Sequence, residues 1–323
     1  MKKILLFALL AAWGTSCSDD ETYGPAPDLA ERIDISAAIA DIAPSSDVKT
    51  RTTISSSGTA SWIDSDALGL FCPQAATPAV NVQYTVTGIA STPSWATPTP
   101  IYWLDGTTAH KFLAYAPYAA GNNDASAVKI PALNVQNGTL NPSQDFLISN
   151  NRNSPGVTRS GTPVSLTFTH AFSLIEFKMQ VGAGIVSNST LTSFVLAGTA
   201  AEKLYTNDNA STIALSTGAV TVGAATNTIT VTPASSPVLS STFVSLYVLI
   251  LPGTYTGPTL SVSFKDGGVT AYTTAANAIG TTIFEAAKKY SYTVTISRTA
   301  IAISNPTISD WTVVTGTPIS PGI

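Results

Sequence analysis

Short apolar runs separated by Ser, Thr, Gly, Pro and Asn recur along most of the chain, and many alternate with period two. Alternation of that kind puts every second side chain on one face of a strand. Ile33, Ile35, Ala37 and Ile39 form the first such set. Ile35, Ile39 and Ile42 also fit a helical stripe, but the alternation favours a strand, and Pro44 ends the element in either case. The polar stretch Asp47-Val48-Lys49-Thr50-Arg51-Thr52 that follows reads as exposed. Next, Trp62 opens a segment with Asp66 and a Gly69-Leu70-Phe71 strand. Residues 101–104, Asp105-Gly106 and residues 110–118 predict a β-hairpin, because Asp-Gly accepts the positive φ of tight turns. Pro117 closes its second arm. Residues 122–143 are rich in turn formers, and residues 145–148 predict another short strand.

Mid-chain, the parity changes. Val164, Leu166, Phe168, Phe172 and Leu174 share one face, whereas Ile175, Phe177, Met179 and Val181 take the other. A one-residue shift turns side chains to the opposite face. The segment therefore carries a bulge near Leu174, or it leaves one core and enters another. The second option is preferred, because chain length places a domain boundary there. Later, Leu260, Val262 and Phe264 alternate up to a turn at Asp266-Gly267-Gly268. Tyr290, Tyr292, Val294 and Ile296 predict a half-buried antiparallel strand. Residues 301–314 predict a strand pair broken by Pro306, with Trp311 near its close.

Composition narrows the class. The chain has 323 residues, room for two domains of ordinary size. Only 11% of residues are charged and the net charge is -4, so electrostatics offers no basis for nucleic-acid binding. Long helical patterns are missing, and an all-β fold with many turns is expected. Candidate chemistry is sparse. The two histidines, His110 and His170, lie in strand patterns and read as structural. Asp64 and Asp66 read as a turn feature rather than an acid/base pair, and no nucleophile elbow, zinc helix or phosphate loop occurs. Catalysis, cofactors and metals are therefore not expected. Cys72 keeps step with Leu68 and Leu70 and reads as a buried, inert thiol. Trp62, Trp95 and Trp103 read as core, with a sugar-stacking platform as the other use of such rings.

The start of the chain is of a different kind. Lys2 and Lys3 precede the apolar residues 4–13, then come Gly14, Thr15, Ser16 and Cys17. That apolar run is shorter than the roughly twenty residues needed to span a bilayer and reads as an export signal. Its layout resembles bacterial lipoprotein signals, in which the cysteine becomes the lipidated first residue. Ser18-Asp19-Asp20-Glu21 resembles the acidic tag of Bacteroidetes lipoproteins held on the outer face of the outer membrane. Residues 18–27 read as a tether.

Several stretches, in order, resemble the Bacteroidales fimbrillin family. Residues 62–71 resemble its Trp…Asp…Gly-x-Phe stretch, and residues 112–118 its aromatic-Pro-Tyr strand. Asp145-Phe146-Leu147 is similar to its Asp-x-Leu strand, and Phe168-Thr169-His170-Ala171 to its Phe-x-His-Ala motif. Tyr290-Ser291-Tyr292-Thr293-Val294 and Ile308-Ser309-Asp310-Trp311 resemble its closing strands. The resemblance implies two tandem transthyretin-like β-sandwich domains, laid out as signal 1–17, tether plus removable strand 18–51, and sandwiches 52–174 and 175–323. It implies a type V pilus subunit for cell adhesion, lipidated at Cys17 and held at the outer membrane. A trypsin-like protease would cut after Arg51 and remove the strand bearing Ile33, Ile35 and Ile39. Another pilus subunit, in a homo- or hetero-polymer, would then donate a strand, with Ile301, Ile303, Ile308 and Val313 as donor candidates. The competing reading is a monomeric surface glycan-binding lipoprotein, which requires the tryptophans to be exposed.

Overall fold

The computed structural model describes residues 31–39, 62–87, 94–133, 136–141, 143–149, 151, 155–186, 188–206, 210–223, 225–280 and 283–311. Among them there is no α-helix, and the protein is all-β. A seven-stranded sheet runs Ile35–Ile39, Val164–His170, Leu147–Ser149, Leu113–Ala116, Ala67–Cys72, Ala79–Thr87, Ser94–Ala96. Its pairs are antiparallel except the first, which is parallel. The sheet curls so that its two ends approach. Trp62 bridges them, edge-on to Trp95 of the last strand at 5.1 Å and to Phe168 beside the first at 5.3 Å.

Strand alternation sends neighbours into different cores. Leu68, Leu70 and Cys72 join one apolar cluster with Ile35, Leu166 and Phe168. Phe71, Tyr115, Phe146 and Ile148, on the other face, join the cluster that fills the second half of the molecule. Gly69 is required here. A Cβ at that position would overlap the Tyr115 ring and Asn81 Oδ1, which the Tyr115 hydroxyl meets at 2.8 Å.

In the second half, a five-stranded sheet has Ser173–Val181 and Lys288–Ile296 at its centre, flanked by Val244–Ile250 and Ile301–Ile303. Thr307–Asp310 also pairs with Lys288–Ile296. A six-stranded sheet built on Ser189–Ala197 and Thr259–Asp266 faces it. Phe177 from one sheet packs against Phe194 from the other at 5.6 Å, as in a sandwich. The halves are stitched together. Val128–Lys129 pairs with Thr212–Ile213. Buried Gln136 donates to Leu249 O (2.9 Å) and accepts the Leu249 N–H (2.7 Å).

Several local expectations change. The strand begun at Val164 ends at His170 and a new one starts at Ser173, so Phe168 and Phe172 do not share a face but belong to different cores. The hairpin over residues 101–118 does not form. The Asp105 carboxylate instead holds the Thr107 N–H (2.8 Å) and the Thr108 hydroxyl (2.6 Å), capturing the turn. Residues 101–103 then pair with the chain near Arg32, and Leu113–Ala116 pairs with Ala67–Cys72 and Leu147–Ser149. The strand carrying Tyr290 is half-buried and antiparallel to the closing segment as expected, but its other neighbour, Ser173–Val181, runs parallel to it. Alternation reports which face is buried and is silent on the direction of the neighbour. Ile301–Ile303 and Thr307–Asp310 do not pair with each other. Both lie end to end, antiparallel, along Lys288–Ile296, because Asn305-Pro306 interrupts one edge strand rather than turning it back.

Candidate functional site

The leader segment, residues 31–39, fills a trough in the first half of the molecule. Ile33, Ile35, Ala37 and Ile39 point inward and are buried, while Arg32, Asp34 and Ala38 face out. On one side its strand Ile35–Ile39 pairs in parallel with Val164–His170, Ile35 opposite Val164 and Ile39 opposite Phe168. The Val164 N–H donates to Asp34 O at 2.8 Å. At its start, the Ile33 N–H donates to Ile101 O (2.8 Å) and the Trp103 N–H to Glu31 O (2.9 Å). The Tyr84 hydroxyl, deep in the trough, donates to Ile33 O at 3.4 Å. Burial pushes that phenol up to about 12, with the Arg32 and Asp34 charges acting in opposite directions. Two ion pairs, Arg32–Asp34 (3.2 Å) and Glu31–Arg159 (3.5 Å), mark the outer rim.

Each isoleucine buried in this way contributes about 2 kcal/mol of transfer free energy. Taking the segment away would uncover apolar walls and leave the backbone groups of Val164–His170 without partners on that side. Such an edge is a template for another strand.

The donor candidates are in a different environment. Ile301 is buried and Ile303 half-buried, whereas Ile308 is 56% exposed in a strand, Thr307–Asp310, with no buried side chain. Lys288 pairs with Asp310 along that edge. Trp311 then anchors the end. It is buried, donates its backbone N–H to Ala287 O (2.7 Å) and stacks on the His170 ring at 3.6 Å and 10°. His170 Nδ1 meets Asp145 Oδ1 at 2.8 Å, both buried. Three motifs far apart in sequence, around Asp145, His170 and Trp311, thus converge at the junction of the two halves. Their spacing carried no signal of this meeting. Cys17, Arg51 and Val313 lie outside the described residues.

A profile described as fimbrillin-like matches residues 50–311. The chain belongs to the fimbrillin-like family. Its leader strand lies ahead of the matched segment. The fold of this fimbrillin-like protein is similar to solved structures of candidate cell adhesion proteins from two Bacteroides species. For Bacteroides uniformis the TM-score is 0.57 at 20% identity, covering 87% of this chain and 98% of that one. For Bacteroides ovatus it is 0.56 at 19%, covering 88% and 99%. A fimbrial protein from Bacteroides vulgatus gives 0.51 at 16%, covering 87% and 100%. These likenesses bear on the fold. No curated protein matches the chain at a significant level. Fimbrillin-like membership points to a structural, non-enzymatic protein of the cell surface.

The remaining candidates fit that reading. Trp62, Trp95 and Trp103 are all buried, so none offers a ring face to a sugar, and the glycan-binding alternative loses its main support. Buried His110 donates from Nδ1 to Thr108 O (2.8 Å) and accepts the Leu104 N–H at Nε2 (3.2 Å), a structural role. Asp66 accepts the Ile63 N–H at 3.0 Å, a turn feature. Among the described residues no cluster of His, Cys, Asp or Glu has the makings of a metal site.

Proposed function

We propose that this protein is a subunit of a surface fimbrium whose assembly is triggered by removal of the leader strand. In this reading Cys17 carries the lipid that holds the precursor at the outer membrane. A trypsin-like protease cuts after Arg51, and the strand bearing Ile33, Ile35 and Ile39 departs. A strand from another subunit then fills the trough, with the closing segment from Ile301 to Val313 as the donor. The observation that carries this reading is the leader itself. It is an edge strand, it contributes an alternating apolar comb to a core built by later residues, and it precedes the family-matched segment. Refilling such a slot is β-strand addition, with backbone bonds supplying affinity and alternate side chains supplying register. A contact of that kind does not close on itself, so its repetition makes a fibre.

The test is to treat the exported protein with a trypsin-like protease and look for SDS-resistant ladders. Wild type is expected to form them and Arg51→Ala to stay monomeric. Equal polymerisation of the Arg51→Ala variant would remove the proposed trigger.

A further inference from the structure

Buried Gln136 and the two residues after it lie along the strand Val244–Ile250 and hold it at two points. Gln136 exchanges two hydrogen bonds with Leu249, and the Tyr247 N–H donates to Gly138 O at 2.8 Å. The backbone between these anchors is therefore of fixed length, with Asn137 in the middle and exposed to solvent. Gly138 is required at its place. Its φ is 80°, and a Cβ there would stand 2.7 Å from Leu246 Cδ2.

Asn137-Gly138 is the only Asn-Gly step in the chain. Such a step has chemistry of its own, because a glycine nitrogen that no side chain shields can attack the carboxamide carbon before it. The local geometry favours the attack. The Thr139 N–H (3.1 Å) and the Thr139 hydroxyl (2.6 Å) both donate to Asn137 Oδ1, folding the carboxamide back over the Gly138 peptide as an Asx turn. Those donors sit on the oxygen that gathers negative charge when the carbon is attacked, where fixed donors lower a barrier. The Gly138 N–H, the attacking group, has no hydrogen-bond partner among the described residues.

Asn141 serves as an internal control. Ser143 gives its Oδ1 the same two kinds of donor, at 3.1 and 2.8 Å. Pro142 follows it, however, and has no N–H to become the nucleophile.

We infer that Asn137 is a site of spontaneous deamidation that loosens the stitch between the two halves. The Gly138 nitrogen bonds to Cγ of Asn137 and gives up its proton, the side-chain amide leaves as ammonia, and a cyclic imide remains. Water then opens the imide. Opening at the former backbone carbonyl gives isoaspartate, with Cβ and Cγ now in the main chain; opening at the other carbonyl gives aspartate. The isoaspartyl chain is one carbon longer between Gln136 and Gly138, so both anchors on Val244–Ile250 cannot keep their geometry. The step needs only water, and it is independent of cleavage and strand exchange.

The experiment ages the exported, uncut protein in mildly alkaline buffer at body temperature and follows each asparagine by peptide mapping. Conversion of Asn137, mainly to isoaspartate, is expected, with Asn141 unchanged. Thr139→Ala, which keeps the N–H and removes the hydroxyl, is expected to slow conversion about fivefold. Aged wild type is expected to unfold at lower urea than fresh protein. Fresh Asn137→Asp, which gains the charge without the extra carbon, is expected to stay near fresh wild type. An Asn137 that remains intact, or converts no faster than Asn141, would overturn the site. An equal rate in Thr139→Ala would overturn the assistance by Thr139, and an unchanged urea midpoint after conversion would overturn the loosening of the stitch.

Discussion

Cys72 illustrates what one side chain reveals. Its period-two step with Leu68 and Leu70 predicts a buried thiol, and the residue has no exposed surface. Burial pushes the thiol up from its ordinary 9.0 to about 11, against a smaller downward pull from the Gln74 and Ala75 N–H groups. A folded-state value above the unfolded one means that the stabilisation is complete below pH 9 and is lost as pH rises toward 11. Each unit of displacement corresponds to about 1.4 kcal/mol. Urea midpoints of wild type are therefore expected to fall between pH 9 and 11, and those of Cys72→Ser to fall less over the same interval. Identical pH profiles would contradict the assignment. The tryptophans were legible in the same way, since large rings in alternating patterns are more often core than surface. The requirement for glycine at residue 69 was not legible, because it depends on the Tyr115 ring, which arrives from another strand.

Among the elements, the leader strand was readable from its alternation, and its burial follows from the same pattern. The closing segment was only half readable. Its apolar residues suggested a strand pair broken by Pro306, yet the buried side chains are concentrated at its ends. Ile301 and Trp311 are buried, whereas Ile308 lies in solvent on an edge. Trp311→Ala is expected to cost about 3–5 kcal/mol, the usual loss for a buried large aromatic. Ile308→Ala is expected to stay within about 0.5 kcal/mol, as exposed positions do. Urea denaturation of both variants tests this contrast, and equal losses would mean that the segment is held along its whole length. The interlocking of Asp145, His170 and Trp311 was invisible in advance. Each lay in a separate motif, and only the packing of the two halves brings them within contact.

For the whole molecule, the leader is covalently part of the chain but packs like a guest in a core made by others. Cutting makes its hold on the trough bimolecular, so it departs on dilution and an excess of the free segment competes with an incoming strand. A synthetic peptide of residues 31–42, added to protease-treated protein, is expected to suppress SDS-resistant ladders. The same peptide with Ile35→Asp and Ile39→Asp is expected to have no effect, because two buried unpaired carboxylates cannot be accommodated. If both peptides act alike, the trough is not selecting the apolar comb.

The sequence by itself determined the all-β class and, for strands such as the leader, Ala67–Cys72, Thr259–Asp266 and Lys288–Ile296, their position and the face each one buries. All of these follow from local period and turn chemistry, which a strand carries in its own residues. Tertiary structure alone decided that the leader lies parallel to Val164–His170 and the Tyr290 strand parallel to Ser173–Val181, that the change of sheet expected near Leu174 falls at Ala171-Phe172, and that the closing segment is pinned by Trp311. Those outcomes are set by backbone hydrogen bonds and ring contacts between segments far apart in the chain. Alternation within a single strand carries no record of which distant segment will supply its partner.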